Sequence, residues 1–460
     1  MNISAITCSL LFLGGIVLCV IPPAFGQHRE EFSLPANGIA DATTGVIEWP
    51  AGPLGQWNGP VVVLIPPAGP YTRDGWQAPA FPGQTRHYAP FADLSAALRN
   101  VGIAVVRFEH PAARVPQRQC RETLQRGDIN EFTLRTKCID YRLIAKLTVA
   151  RYRAALANLL AHVQRRIPQS RRNMTLFGFS EGLVHSAAIV ESTGIPVAAL
   201  VSVGSPAEKV SDAARWQIEE RALEWLPRFD LDADGIVTND EIRRGYQQGI
   251  GNIMSLRLWI SPDGQWDQHN LDQLKSRLEF TYAEILGEFG DDKELGRLHW
   301  RFINDQVGAP YATDSFLYHI LQDSLSTVDV MERHGLPGLY LWGDADTQVS
   351  IKRQLPLIAE SNARGANIQF QRYPGRLHLL SNDPDEVWFE PEFAATIAHR
   401  VRQFLDGILE APGPGHGTAT KRQARTNFSK SALTGQHSPI PPGMATQPAK
   451  GDSNHARNLK

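Results

Sequence analysis

The sequence predicts an α/β protein: a mostly parallel central sheet with helices on both faces and a helical lid insertion. Three observations predict it. Six apolar runs of strand length recur with amphipathic stretches between them, as expected of strands buried on both faces and joined by helical crossovers. The alternation stops between residues 204 and 336, where a segment rich in Trp, Leu, Arg and Glu reads as several helices without a buried strand. One of the strand-to-helix junctions places a serine between two glycines.

Taken in order, a β-rich entry at 38–49 leads to PVVVLI at 60–65, a continuous β-branched run. VGIAVVRF (101–108), NMTLFG (173–178), IPVAALVSVG (195–204), LPGLYLWG (336–343) and ANIQFQRY (366–373) follow. Amphipathic stretches at 139–168, 181–192, 350–364 and 391–410 supply the crossovers. The domains expected are a first core segment, 27–204, a helical cap, 205–335, and a second core segment, 336–410. From 411 to 460 Pro, Gly, Ser, Thr, Gln and basic residues dominate and apolar periodicity is lost, so a disordered tail is expected. No internal repeat suggests a solenoid.

With 42% hydrophobic and 20% charged residues the composition is that of an ordinary globular chain, and a net charge of −2 gives no global field for nucleic acid or an anionic membrane. The tail holds seven basic residues and one acidic residue, so the body is mildly acidic. At the other end, the uncharged run 3–25 stops at Ala24-Phe25-Gly26, a small-x-small site before polar Gln27. It reads as a signal peptide, residues 1–26, cut after Gly26, and so as a secreted or periplasmic protein without stable membrane insertion; uncleaved, the run would be an anchor. It lacks a Lys or Arg at its start and holds no lipoprotein box. Cys120 and Cys138 would then be the only cysteines of the mature chain, either joined in an oxidising compartment or free and buried.

The chemistry centres on Gly178-Phe179-Ser180-Glu181-Gly182, between the buried run NMTLFG and the helical segment LVHSAAIVES. A tight strand-to-helix turn needs glycines beside the serine and lifts its hydroxyl above the carboxyl edge of the sheet. A serine hydroxyl needs an imidazole to take its proton and a carboxylate to hold that imidazole. Two later strand ends offer them, in Gly343-Asp344-Ala345-Asp346 and in Gly375-Arg376-Leu377-His378. Either Asp344 or Asp346 could be the acid.

These motifs, with the stretches IPPAGPYTRDGW, LSAALRNVGIAVVRFEHP, LFGFSEGLVHSAA, VSVGSPAE and GDADTQVS, make the chain resemble the α/β-hydrolase superfamily over roughly 57–206 and 336–408. Within it the chain looks most like esterases and serine aminopeptidase-like hydrolases with a G-x-S-E-G elbow. The resemblance implies the α/β-hydrolase fold and a triad of Ser180, Asp346 and His378, with Asp344 the second candidate acid. It implies an oxyanion hole from the N–H of Glu181 and one from the loop after the first core strand. Relatives have His-Gly or Pro-Gly there; this chain has Pro66-Pro67, which offer no N–H, so Ala68 is the expected donor, with Gly69 behind it. Phe108-Glu109-His110-Pro111 also departs from the family pattern, and no role is read from it. Arg73-Asp74 reads as an ion pair bracing the loop.

In the insertion, Asp230, Asp232, Asp234, Gly235, Ile236, Thr238 and Glu241 fall at positions 1, 3, 5, 6, 7, 9 and 12 of an EF-hand pattern. Three alternating carboxylates can converge only if the backbone turns sharply at Gly235 and a cation offsets their repulsion; the alternative is an acidic Asx-turn that joins two helices without metal. Glu241 could close the shell bidentately, Ile236 give its carbonyl and Thr238 a hydroxyl or a bridged water. No second loop of this pattern is found, and the expected cofactor is a structural Ca²⁺ that staples the lid helices, with no organic cofactor.

The expected function is a secreted serine hydrolase cleaving a carboxylic ester, with a small-molecule ester or short peptide as substrate partner and no nucleic acid. An aminopeptidase, amidase or acyltransferase on the same triad, and a non-catalytic calcium-dependent binding protein, are the alternatives.

Overall fold

The computed structural model describes residues 28–35, 43–69, 71–75, 89–111, 148–251, 259–283 and 323–409. The leader, Cys120, Cys138 and the tail lie outside them.

The apolar runs become strands of one sheet. In chain order these are β1 (His28–Leu34), β2 (Thr43–Trp49), β3 (Val61–Ile65), β4 (Ala104–Phe108), β5 (Met174–Phe179) and β6 (Ala199–Val203). After the two short strands β7 (Val237–Thr238) and β8 (Gln265–Trp266) come β9 (Gly338–Gly343) and β10 (Ile368–Tyr373). The eight-stranded sheet has the order β1-β2-β4-β3-β5-β6-β9-β10; β1 and β2 run antiparallel and all other pairings are parallel except β2 with β4. That is the α/β-hydrolase fold.

Strand periodicity sends alternate side chains to opposite faces, and β3 feeds two cores. Val61, Val63 and Ile65 pack with Leu156, Leu160 and Leu183. Val62 and Leu64 pack with Leu94, Leu98, Ile397 and Val401. The first face is therefore covered by α2 (Val149–Arg166) and α3 (Glu181–Thr193), and the second by α1 (Pro90–Asn100) and a C-terminal helix (Phe393–Leu409). Thr148 caps α2, accepting the Arg151 N–H at 3.2 Å.

Three strands differ from expectation. β10, expected as a strand buried on both faces, is an edge of the sheet and is buried only at Ile368. β1, sequence HREEFSL, is absent from the sequence reading because it is an edge strand whose first four residues are polar, Glu30 taking the inward side against Arg166, with only Phe32 and Leu34 buried. The run at 101–108 starts as a strand only at Ala104, because Val101 and Gly102 close the end of α1 through bonds to Leu98 and Arg99 carbonyls.

The insertion leaves the sheet after β6 and returns at β9, its sheet neighbour. Its described part begins with α4 (Val210–Arg215), a π-helical turn (Trp216–Glu220) and α5 (Arg221–Trp225). α6 (Asn239–Gln247) and α7 (Gln268–Ala283) follow. Trp216, Trp225, Phe229, Ile242, Trp259 and Trp266 give it an apolar core of its own. No helix among the described residues is long and apolar enough to cross a membrane.

Candidate active site

β5 ends at Phe179 and α3 begins at Glu181, so Ser180 alone makes the turn, at φ 48° and ψ −119°. Such a positive φ is strained for a non-glycine residue and is held by bonds on both sides. The Ser180 N–H donates to the Val203 carbonyl at 2.8 Å, and the Ser205 hydroxyl donates to the Ser180 carbonyl at 2.6 Å. The flanking glycines answer to close approach: a Cβ on Gly178 would stand 2.1 Å from the Leu183 nitrogen, and one on Gly182 2.4 Å from the Ile65 carbonyl oxygen. Gly182→Ala is expected to lower the melting temperature by several degrees, measured by calorimetry, because only backbone could move to relieve that overlap.

The structure brings the three sequence-derived candidates together. His378 Nε2 lies 2.9 Å from Ser180 Oγ, and its Nδ1 lies 3.0 and 2.9 Å from the two Asp346 oxygens. The Asp346 side chain is fully buried, and its Oδ1 also accepts the N–H groups of Gln348 at 2.6 Å and Val349 at 3.0 Å. A carboxylate so held makes Nδ1 the donor, leaving Nε2 to accept the serine proton. Asp344 stands apart: it accepts the Gly375 N–H at 2.6 Å and faces Arg372 at 3.7 Å.

Ser180, His378, Ala68 and Glu181 open onto a cavity of about 380 Å³ whose other walls are mainly apolar. Val210, Ala213, Ala214 and Gln217 reach it from the insertion, and Pro384 and Val387 from the loop after His378. None of these six was placed from the sequence; for Val210, Ala213 and Ala214 the signal is the apolar face of α4, and Gln217, Pro384 and Val387 carry none. Gln217 donates to the Gln348 carbonyl and Arg221 to the Gln348 side chain, both at 2.7 Å, tying the insertion to the loop that carries Asp346. Burial lowers the Arg221 guanidinium to about 10, with Asp346 opposing. Glu181 receives a hydrogen bond across one helical turn, from His185 Nε2 at 2.8 Å. Tyr246, at the end of α6, donates to Asp385 in the loop after His378.

Loop 230–241 lies between α5 and α6. One carboxylate oxygen from each of Asp230, Asp232 and Asp234 falls within 4.8 Å of the others. Gly235 makes the turn at φ 83°. Glu241 is not in that group: Oε1 accepts the Leu231 N–H at 3.0 Å, while Oε2 accepts both the N–H and the hydroxyl of Thr238 at 2.9 Å. Thr238 in turn accepts the Glu241 N–H at 3.2 Å, closing a capping box on α6. Burial pushes the Glu241 carboxyl up, but these donors outweigh it and hold it below the usual range.

Unlike the sequence reading, the structure gives this loop a partner. β7, at loop positions 8 and 9, pairs antiparallel with β8, Val237 opposite Trp266 and Thr238 opposite Gln265. In that register residues 259–270 repeat the loop 29 positions on. Gly264 turns at φ 91° where Gly235 does, and Asp267 caps α7 through the Asn270 N–H at 2.8 Å where Thr238 caps α6. Asn239 clasps the two, donating to the Ser261 carbonyl at 2.8 Å and accepting its N–H at 2.7 Å. Position 1 of the second loop is the buried Trp259 and position 12 is Asn270, so a search for alternating acids passes over it.

A family model described as Alpha/beta hydrolase matches residues 144–230, which include Ser180 and the start of the insertion. No curated protein matches the chain. Among solved structures, a thermostable carboxyl esterase from Bacillus coagulans is similar at 13% identity and TM-score 0.42, over 83% of this chain and 99% of that one. A fungal esterase from Rhizomucor miehei is similar at 12% and 0.42, over 83% and 85%. An acylaminoacyl peptidase from Pyrococcus horikoshii is similar at 10% and 0.40, over 85% and 43%. The strand order of the chain itself and its matched segment give an α/β-hydrolase fold that supports hydrolase activity.

Proposed function

We propose that the chain is a secreted serine hydrolase that cleaves a carboxylic ester through an acyl-enzyme. The observation that carries this reading is the unbroken hydrogen-bond chain from Ser180 through His378 to Asp346. His378 takes the Ser180 proton as Oγ attacks the ester carbonyl, and Asp346 steadies the imidazolium. The N–H groups of Glu181 and Ala68 hold the oxyanion. His378 then hands its proton to the leaving alcohol, and activates a water that releases the acid. The cavity, mainly apolar, suits a modest acyl chain, and its described walls include no Lys or Arg. Acyl-chain-length and aminoacyl-amide substrates, assayed side by side, test the bond type: faster turnover of the amides at matched chain length sinks the ester reading. Secretion rests on the apolar run 3–25 and its small-x-small end.

The lid loop is proposed to hold a structural Ca²⁺. Asp230, Asp232 and Asp234 converge as a hard, oxygen-rich set, and Ile236, Thr238 and Glu241 stand at the remaining ligand positions. The ion would offset their mutual repulsion and take no part in the chemistry. The partner loop supports this reading, because EF-hand loops work in pairs joined by a short β-bridge. Stripping calcium with a chelator is expected to lower the melting temperature by roughly 5 °C or more, recovered on adding Ca²⁺. An unchanged melting temperature together with no calorimetric binding heat would remove the ion from the account.

A further inference from the structure

Loop 66–75 follows β3 and carries Ala68, yet among its described residues (66–69 and 71–75) the internal backbone bonds are just two, Tyr71 N–H to Gly69 and Gly75 N–H to Thr72. Its far end is held from α1, whose Phe91 N–H donates to the Asp74 carbonyl at 3.2 Å, and from β4 and the residues just past it. Arg107 on β4 is 4% exposed and donates to Glu48 through Nε at 3.1 Å and Nη2 at 2.8 Å. Its Nη1 reaches into the loop, to the Arg73 carbonyl at 3.3 Å and to the Asp74 carboxylate. Glu109, just past β4 and 2% exposed, accepts the Arg73 N–H at 2.8 Å. His110 donates its N–H to the Tyr71 carbonyl at 3.0 Å. Arg73 and Asp74 thus do not pair with each other to brace the loop; each is held by a buried charge from the sheet.

Burying Glu48, Arg107 and Glu109 is costly in the absence of partners, and an apolar trio would fill the same space at less expense. What the charges add is a fixed geometry: directional bonds at residues 71, 73 and 74, on a loop whose other end is pinned where Ile65 and Pro66 carbonyls press on Gly182. Ala68 sits between the two anchors, as the first residue after β3 with an N–H to give.

We infer that Glu109, Arg107 and Asp74 are positioning residues for the oxyanion pocket, fixing loop 66–75 so that the Ala68 N–H meets the charge that develops in the transition state. This rests on the serine hydrolase reading. Preorganised donors act only as charge develops, so loosening them lowers kcat and leaves ground-state binding nearly untouched. Burial lifts Glu109 to about 7, and its carboxyl oxygen accepts the Arg73 N–H whether protonated or not, so glutamine is a fair replacement.

The test uses p-nitrophenyl butyrate for turnover and butylboronic acid as a mimic of the tetrahedral anion on Ser180. Glu109→Ala and Asp74→Ala are expected to lower kcat by about 10- to 100-fold with KM within about threefold, and to weaken boronate binding by the same factor as kcat. Glu109→Gln should recover most of the loss. Asp74 is one-third exposed, so its variant keeps the test alive where Glu109→Ala does not fold. Variants that melt earlier yet keep kcat and boronate affinity overturn the inference, as does a rise in KM at constant kcat. Retained turnover in Ser180→Ala instead overturns the hydrolase reading, and this inference with it.

Discussion

Replacing Ser180 with alanine is expected to lower kcat by roughly 10⁴- to 10⁶-fold while the fold persists. The expectation follows from position. Ser180 Oγ is the one hydroxyl within hydrogen-bond distance of His378 Nε2 among the described residues, and no other group there could form the acyl-enzyme. Alanine tolerates the turn at φ 48° about as well as serine does, and the backbone bonds to Val203 and from Ser205 remain. Turnover of p-nitrophenyl esters and labelling by a fluorophosphonate probe should vanish together, with thermal unfolding nearly unchanged. Hydrolysis surviving in that variant would place the chemistry elsewhere.

Asp346→Asn is expected to cost about 10³- to 10⁴-fold in kcat, for a different reason. Its side chain is fully buried and faces Nδ1 of His378 with both oxygens. Asparagine keeps an oxygen for the Gln348 and Val349 N–H groups, so the loop has no cause to move. Its NH₂ must then turn to the imidazole, which drives the ring proton onto Nε2, where it can no longer receive one from Ser180. Asp344→Asn should change kcat by less than about threefold, since that side chain serves Gly375 and Arg372. The two variants assayed in parallel settle which aspartate acts, and a larger loss at Asp344 would reverse the assignment.

Much of this site could be read from sequence because its parts sit where periodicity changes. PVVVLI and NMTLFG announce buried strands, and Ser180, Asp346 and His378 each follow the end of a strand within a few residues. The order of strands in the sheet then brings the three to one edge. Asp344 and Asp346 remained interchangeable in sequence, since two residues of loop decide which carboxylate turns toward the histidine. β1 was not legible because its first four residues are polar, which hides an edge strand's alternation. The pairing of β7 with β8 was not legible because two-residue strands leave no periodicity; the local signals that survive are Gly264, 29 residues after Gly235, and the capping Asp267. The grip of Arg107 and Glu109 on loop 66–75 spans more than thirty residues and depends on the register of β4 against β2 and β3, which no local pattern encodes.

The excursion 205–335 departs from β6 and comes back on β9, and these strands lie side by side, Leu200 opposite Gly338. Its two ends are therefore neighbours before anything between them folds. Closing a flexible loop grows only logarithmically with length, roughly 0.6 kcal/mol for each doubling, so the sheet scarcely registers how much chain is hung at that doorway. The strand ends that carry Ser180, Asp346 and His378 therefore keep their spacing whatever the length of chain between β6 and β9, and that excursion can lengthen, shorten or be replaced at a doorway whose two posts stand in the sheet.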